Sequence, residues 1–264
     1  IVGEGELGAP YNGFISIRDC YNVTVRNMVF TGHKVYQFAK NGLAAVSKGT
    51  YDISPSRAIN LSFINCRQSN NINDKTYWGI MGSNFCKNIL LDSCTFSRFD
   101  AHQGVANATI RNSTLGHQGI NAIGSGTFIV ENTTVYANSF INLRNDYGST
   151  WQGEFIIRNC VFVPGNGKAT SVNLIGGSNA GQHNFGYTCY LPSKITIENL
   201  RINDAGLPAN YKGPAVFANF NPKLTDETYR ETFPYVRASE VMLKNISIAS
   251  GKAIRISDNL FMFK

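Results

Sequence analysis

One nine-residue pattern recurs eight times along this chain, and it limits what the chain can fold into. It reads NVTVRNMVF from Asn22, NLSFINCRQ from Asn60, NILLDSCTF from Asn88 and NATIRNSTL from Asn107. It returns as TFIVENTTV from Thr127, EFIIRNCVF from Glu154, KITIENLRI from Lys194 and EVMLKNISI from Glu240. Positions 2, 4, 7 and 9 are mostly apolar or small, and position 5 is usually charged. Position 6 is Asn in seven of the eight, with Ser93 the exception. Alternation at positions 2 and 4 is the period of a strand with one face inward. Asn tolerates the left-handed backbone of a sharp bend, so each repeat predicts strand, bend, strand.

The repeats start 38, 28, 19, 20, 27, 40 and 46 residues apart. A minimum near 20 with variable insertions suits stacked coils joined by loops of different length. Stacking places like residue over like, so the Asn residues can form a hydrogen-bonded column. Further strands are expected between the repeats, at 14–20, 79–85, 119–126, 139–146, 171–177, 214–220 and 253–259. Residues 31–58 and 203–239 are expected as two long insertions, the second with a short helix over 224–233. The fold class is all-β: one domain over 1–264, a single-stranded parallel solenoid of about eight or nine coils. A β-sandwich is the rival, and it leaves the Asn register without a reason.

Composition agrees with such a stack. Thirty Asn and 25 Gly make about a fifth of the 264 residues, and only 16% are charged. Hydrophobic residues reach 43%, which excludes a disordered chain. No apolar run approaches the roughly 18 residues of a membrane span. The net charge of +7 is spread thinly, without the basic cluster of a nucleic-acid binder. Six Cys without a CxxC pair argue against a zinc ribbon. Cys66, Cys94 and Cys160 share position 7 and read as stacked buried thiols. Sequons at Asn22, Asn60, Asn107, Asn112, Asn132 and Asn245 read first as bend residues. The start at Ile1, without Met or a signal-peptide pattern, reads as a piece of a longer chain.

The coil pattern resembles the right-handed parallel β-helix of the pectate-lyase-like superfamily over roughly 14–260. That resemblance implies the fold and says little about chemistry. The galacturonase-type signature, with a double Asp, Gly-His-Gly and Arg-Ile-Lys, is not present.

Chemistry is sought in the densest polar stretch, 97–147. Asp100 and His102 are two apart, which on a strand puts them on one face. A carboxylate beside His orients it as a general acid or base. Arg144 and Asp146 are also two apart, on a nearby coil. Arg144 would hold an anionic substrate group, and Asp146 would be a second acid, a metal ligand or a partner for Arg144. The alternative for both pairs is a solvated ion pair. Arg98 and His117 are read as substrate contacts. His102 and His117 each open an HQG string. Trp78, Tyr147, Trp151 and Tyr187, with Phe185, are candidate stacking platforms for sugars. His33 and His183 read as loop residues. Nothing in the sequence requires a cofactor, and a divalent metal stays an open alternative.

The strings YWGIMGSNFCKN, SRFDAHQG, NLRNDYGSTWQG and FGYTCYLP resemble β-helical tail-spike or preneck-appendage proteins of tailed phages that infect Gram-positive bacteria. The resemblance spans roughly 75–200. It implies a homotrimeric virion fibre that binds and cleaves a cell-surface polymer, such as teichoic acid or capsular polysaccharide. The expected setting is extracellular or virion, with no nucleic acid and no membrane span. The alternatives are a non-catalytic receptor-binding or structural fibre segment, and a secreted bacterial polysaccharide lyase or glycoside hydrolase.

Overall fold

The structure is a computed structural model that describes residues 6–7, 15–32, 51–77, 79–144, 148–165, 169–177, 187–218 and 236–257. Within them the protein is all-β, and every strand pair is parallel. The strands begin with β1 (Glu6–Leu7), β2 (Ile15–Arg26), β3 (Val29–Phe30), β4 (Ile53–Ile64), β5 (Arg67–Gln68) and β6 (Met81–Asn84). Next come β7 (Lys87–Asp92), β8 (Thr95–Arg111), β9 (Thr114–Glu131), β10 (Thr134–Ala137), β11 (Ser139–Leu143) and β12 (Trp151–Pro164). The last are β13 (Asn173–Gly176), β14 (Lys194–Ile202), β15 (Ala215–Phe217), β16 (Glu240–Lys244) and β17 (Ser247–Ile248).

All eight repeats stack in register. Position 2 pairs successively as Val23, Leu61, Ile89, Ala108, Phe128, Phe155, Ile195 and Val241. Position 8 forms a second column, from Val29 through Arg67, Thr95, Thr114, Thr134, Val161 and Arg201 to Ser247. A third column joins Ile15, Ile53, Met81, Phe99, Ile120, Ile141, Ile175 and Phe217. The insertion expected over 31–58 is therefore shorter, because Ile53–Ala58 belongs to β4 and pairs with β2. Its alternation is hidden by Pro55 and by the charged Arg57. The helix expected over 224–233 lies outside the described residues.

The bends explain the Asn. Asn27, Asn65, Ser93, Asn112, Asn132, Asn159, Asn199 and Asn245 all have φ between 48° and 58°. This is the left-handed region, which costs most L-residues roughly 1–2 kcal/mol and Asn less. The amides then bond along the column: Asn65 donates to Asn27 at 2.9 Å, Asn132 to Asn112 at 3.3 Å, Asn199 to Asn159 at 2.8 Å and Asn245 to Asn199 at 2.9 Å. A second ladder runs at position 1, where Asn60 donates to Asn22, Asn88 to Asn60 and Asn107 to Asn88 at 2.9–3.0 Å. Four of the six sequon asparagines thus donate in a ladder, and the other two, Asn22 and Asn112, accept in one.

Positions 2, 4, 7 and 9 close the interior. Phe63, Phe96, Phe128, Val130, Phe155, Ile157 and Ile197 are 0% exposed. Aromatic rings meet edge to face across the columns, as Phe99 with Phe128 at 6.0 Å and Phe140 with Phe162 at 5.6 Å. The six Cys are free thiols. Cys66, Cys94 and Cys160 are buried, and each donates to a carbonyl of the neighbouring strand. No helix among the described residues is long and apolar enough to cross a membrane.

Candidate functional site

In the third column Phe99 and Ala101 point into the core, so Asp100 lies on the opposite, outer face. It still reaches no solvent, being 0% exposed. Three donors converge on its Oδ2: the Tyr51 hydroxyl at 2.7 Å, Arg98 Nη2 at 2.5 Å and Arg144 Nη1 at 2.5 Å. Arg98 is on the same face two residues earlier. Arg144 follows Asn142, which aligns with Asp100 through Asn121 two strands away. The spacing of roughly 4.8 Å per strand lets its long side chain span the distance. Tyr51 lies over Gly82, the residue paired with Asp100, and a Cβ there would sit 2.5 Å from the ring. Arg98 also stacks on Tyr51, 5.1 Å from the ring centre. Burial, then the Asp100 carboxylate, hold the Tyr51 hydroxyl protonated well above the usual phenol range. Among the described residues Asp100 Oδ1 is buried and accepts no hydrogen bond.

His102 does not share this contact. Its Nδ1 bonds to Asn84 Oδ1 at 2.8 Å, and its ring meets the edge of Tyr51 at 5.7 Å. The expected Asp100–His102 pair is thus replaced by Asp100 with two arginines and His102 with an amide. A bulge is the reason. Ala101 pairs with Ala122 and Val105 with Gly124, so 102–104 form an enlarged segment opposite Ile123 alone. The second HQG string does the same on β9, where 116–118 stand opposite Ser97 alone. Gly104 and Gly119 have φ of 57° and 58°. Each HQG string is a bulge closed by a left-handed glycine.

His117 lies elsewhere, at a cleft of about 190 Å³ with Asn73, Lys75, Tyr136 and Asn138. An adjoining cleft of about 210 Å³ shares His117 and Asn138 and adds Asn121 and Asn142. His117 Nδ1 is 2.9 Å from the Ile72 carbonyl, which only accepts, so Nδ1 carries the hydrogen. Burial, with Lys75 adding to it, lowers the His117 pKa and keeps the ring neutral. Its Nε2 is then an acceptor, buried and without a hydrogen bond among the described residues. Asn142 donates to Asn121 at 3.0 Å, and Asn121 to the Gln118 carbonyl at 2.9 Å.

The remaining candidates divide. Arg98 is 6% exposed and is bound into the Asp100 cluster. Trp151 is 0% exposed, packs on Phe128 at 5.2 Å and donates its Nε1 to the Gly126 carbonyl. It has no ring face for a sugar and is a core residue. Tyr187 is 40% exposed. Asp146, Trp78, Tyr147, Phe185, His33 and His183 lie outside the described residues. Among the described residues no three His, Cys, Asp or Glu side chains come together as metal ligands. Sequence reasoning missed Tyr51, Asn84, Lys75, Tyr136 and Asn138. No family model, no curated protein and no solved structure matches the chain.

Proposed function

We propose that the three columns are the sheets of a right-handed parallel β-helix, and that its outer face binds an extracellular glycopolymer through the His117 groove. The in-register columns and left-handed bends support the fold. One observation carries the function: two adjoining clefts lined by amides, a neutral His ring and one Lys. The amides offer both donors and acceptors, as sugar hydroxyls require. Lys75 adds one positive charge for a phosphate or carboxylate on the polymer. Each cleft is smaller than the roughly 300–1,000 Å³ of a drug-sized site, so an extended chain crossing both fits better than one compact ligand. The tail-spike resemblance sets this in a homotrimeric virion fibre contacting teichoic acid or capsular polysaccharide.

The test is the affinity of the protein for purified teichoic acid and for a neutral capsular polysaccharide. Asn138→Ala with Lys75→Ala should weaken binding about tenfold or more, since each lost hydrogen bond removes about 1 kcal/mol. Wild-type protein that binds neither polymer, or a double variant that binds equally well, overturns the reading.

Cleavage is a second reading, favoured by the meeting of Tyr51, Asp100, Arg98 and Arg144 beside His102. In it Asn84 orients His102 as the acid/base. His102→Ala should then lower the release of polymer fragments by about 10²–10⁴ while the fold stays intact. Unchanged product release sinks this second reading and leaves binding standing.

A further inference from the structure

The corner between the third column and position 1 of the repeats is built from left-handed residues twice over. Asn22, Asn60, Asn88 and Asn107 form one column, with φ of 54° to 60°. Three residues earlier Asp19, Arg57, Phe85 and Gly104 align in another, with φ of 50° to 57°. Asn and Gly suit that backbone, whereas a bulky side chain there is an outlier. Phe85 is such an outlier, and burial does not offset it, because the residue is 55% exposed. Its ring lies against Gly104, where a Cβ would sit 2.8 Å from it. A strained backbone that holds an aromatic ring in water points to a use outside the fold.

Two more exposed apolar side chains continue from this ring. Tyr21 is 74% exposed and Ile59 47% exposed. They pair across β2 and β4, and Ile59 pairs in turn with Lys87, two residues beyond Phe85. Tyr21, Ile59 and Phe85 thus form a diagonal strip over three successive coils. Beside it Arg57 donates from Nε and Nη2 to the two carboxylate oxygens of Asp19, at 2.5 and 2.7 Å. Both side chains of this pair are more than half exposed. The fork is fixed in place, and guanidinium and carboxylate each have bonding capacity beyond that contact.

The strip is small for a protein partner. Each aromatic ring covers roughly 150–250 Å² when fully buried, and a stable interface takes roughly 800 Å² from each partner. A pyranose ring matches it better. The C–H face of the sugar is drawn to the negative face of an aromatic ring. Its equatorial hydroxyls reach sideways, to groups such as Arg57 and Asp19. Tyr21 and Phe85 are two strands apart, roughly 10 Å along the axis, and alternate rings of an extended β-1,4-linked chain repeat over about that length.

We propose that Tyr21, Ile59 and Phe85, flanked by Asp19 and Arg57, form a glycan subsite separate from the His117 groove, which takes a β-1,4-linked pyranose chain along the axis. It rests on the glycopolymer reading and narrows it, because stacking requires sugar rings that a bare polyol phosphate lacks. Phe85 follows Asn84, the partner of His102, so the strip leads to the first HQG bulge.

The probes are a β-1,4-linked N-acetylglucosamine hexamer and poly(glycerol phosphate), which has no sugar ring, each titrated into the whole protein by calorimetry. Phe85→Asn removes the ring and suits the left-handed backbone. It should bind the hexamer about tenfold or more weakly, while its thermal midpoint equals or exceeds that of wild type. Phe85→Tyr keeps the ring and should retain affinity within about twofold. Affinity for poly(glycerol phosphate) should be the same in wild type and Phe85→Asn. Equal hexamer affinity in wild type and Phe85→Asn, or no hexamer binding by wild type at millimolar concentration, overturns the proposal. If wild type then still binds teichoic acid or capsular polysaccharide, the glycopolymer reading stands without this subsite. A lower thermal midpoint with unchanged binding makes Phe85 a packing residue, and a changed oligomeric state in Phe85→Asn gives the strip to a second copy. Either result overturns the proposal.

Discussion

Asp92 and Asp100 lie on neighbouring parts of the same chain, each pairs with arginine, and the two pairs sit in opposite surroundings. Asp92 occupies position 5 of a repeat, where its side chain is 17% exposed and that of its partner Arg111 is 43% exposed. It also accepts from Asn112 at 2.9 Å, and this bond, with Arg111, lowers its pKa. Asp100 is 0% exposed, between Arg98 at 8% and Arg144 at 15%. The repeat column keeps its charges wet and replaceable, since Ile64 and Lys244 fill the same position. The outer cluster takes one carboxylate and two guanidinium groups out of water, where each depends on the others. Stacking alone builds the first arrangement. The second needs a cover, and Tyr51 supplies part of it.

The largest effect should follow from breaking the buried side of this comparison. Asp100→Asn leaves two buried guanidinium groups without their carboxylate and should cost about 3–5 kcal/mol in chemical denaturation. Asp92→Asn, the exposed counterpart, should cost about 1 kcal/mol or less. Similar losses in the two variants would erase the distinction.

Legibility divides along the same line. The repeat register is local: alternation at 2 and 4, and Asn at a bend, are written within nine residues. The position-1 ladder was equally visible in Asn22, Asn60, Asn88 and Asn107, and was hidden only because Thr127, Glu154, Lys194 and Glu240 replace Asn later. The Asp100 cluster was half legible. Arg98, Asp100 and Arg144 fall in the polar stretch that the letters single out. Tyr51 reaches Asp100 across 49 residues of sequence, with no spacing rule to announce it. The Asp100–His102 pairing failed because alternation holds only in an unbroken strand, and the HQG bulge breaks it. Trp151 looked like a sugar platform from its neighbours, yet its ring fills space between Phe128 and Phe155.

A smaller effect should come from the exposed ladder. Asn132 has φ of 48° and donates to Asn112. Asn132→Ala loses both the amide bond and a residue suited to that backbone, and should cost about 1–2 kcal/mol. Asn132→Gly keeps the backbone freedom and loses only the bond, so it should cost less. If Gly is as damaging as Ala, the ladder bond outweighs the bend, and the left-handed backbone is not what selects Asn.

The smallest effect is a pH dependence at the groove. His117 is neutral in the fold because burial lowers its pKa, while in the unfolded chain it titrates near 6.5. Between the folded and unfolded values the unfolded chain binds more protons, so stability rises with pH across that window. The contribution is complete above about pH 6.5 and declines as pH falls below it, levelling off once the folded value is passed. Lys75 and Arg98 push in the same direction as burial, and the Ile72 carbonyl and Asp74 oppose it. Denaturation midpoints taken from pH 8 to pH 5 should fall more steeply for wild type than for His117→Gln, which cannot take the proton. Parallel curves would mean that the imidazole charges without cost and that burial does not hold it neutral.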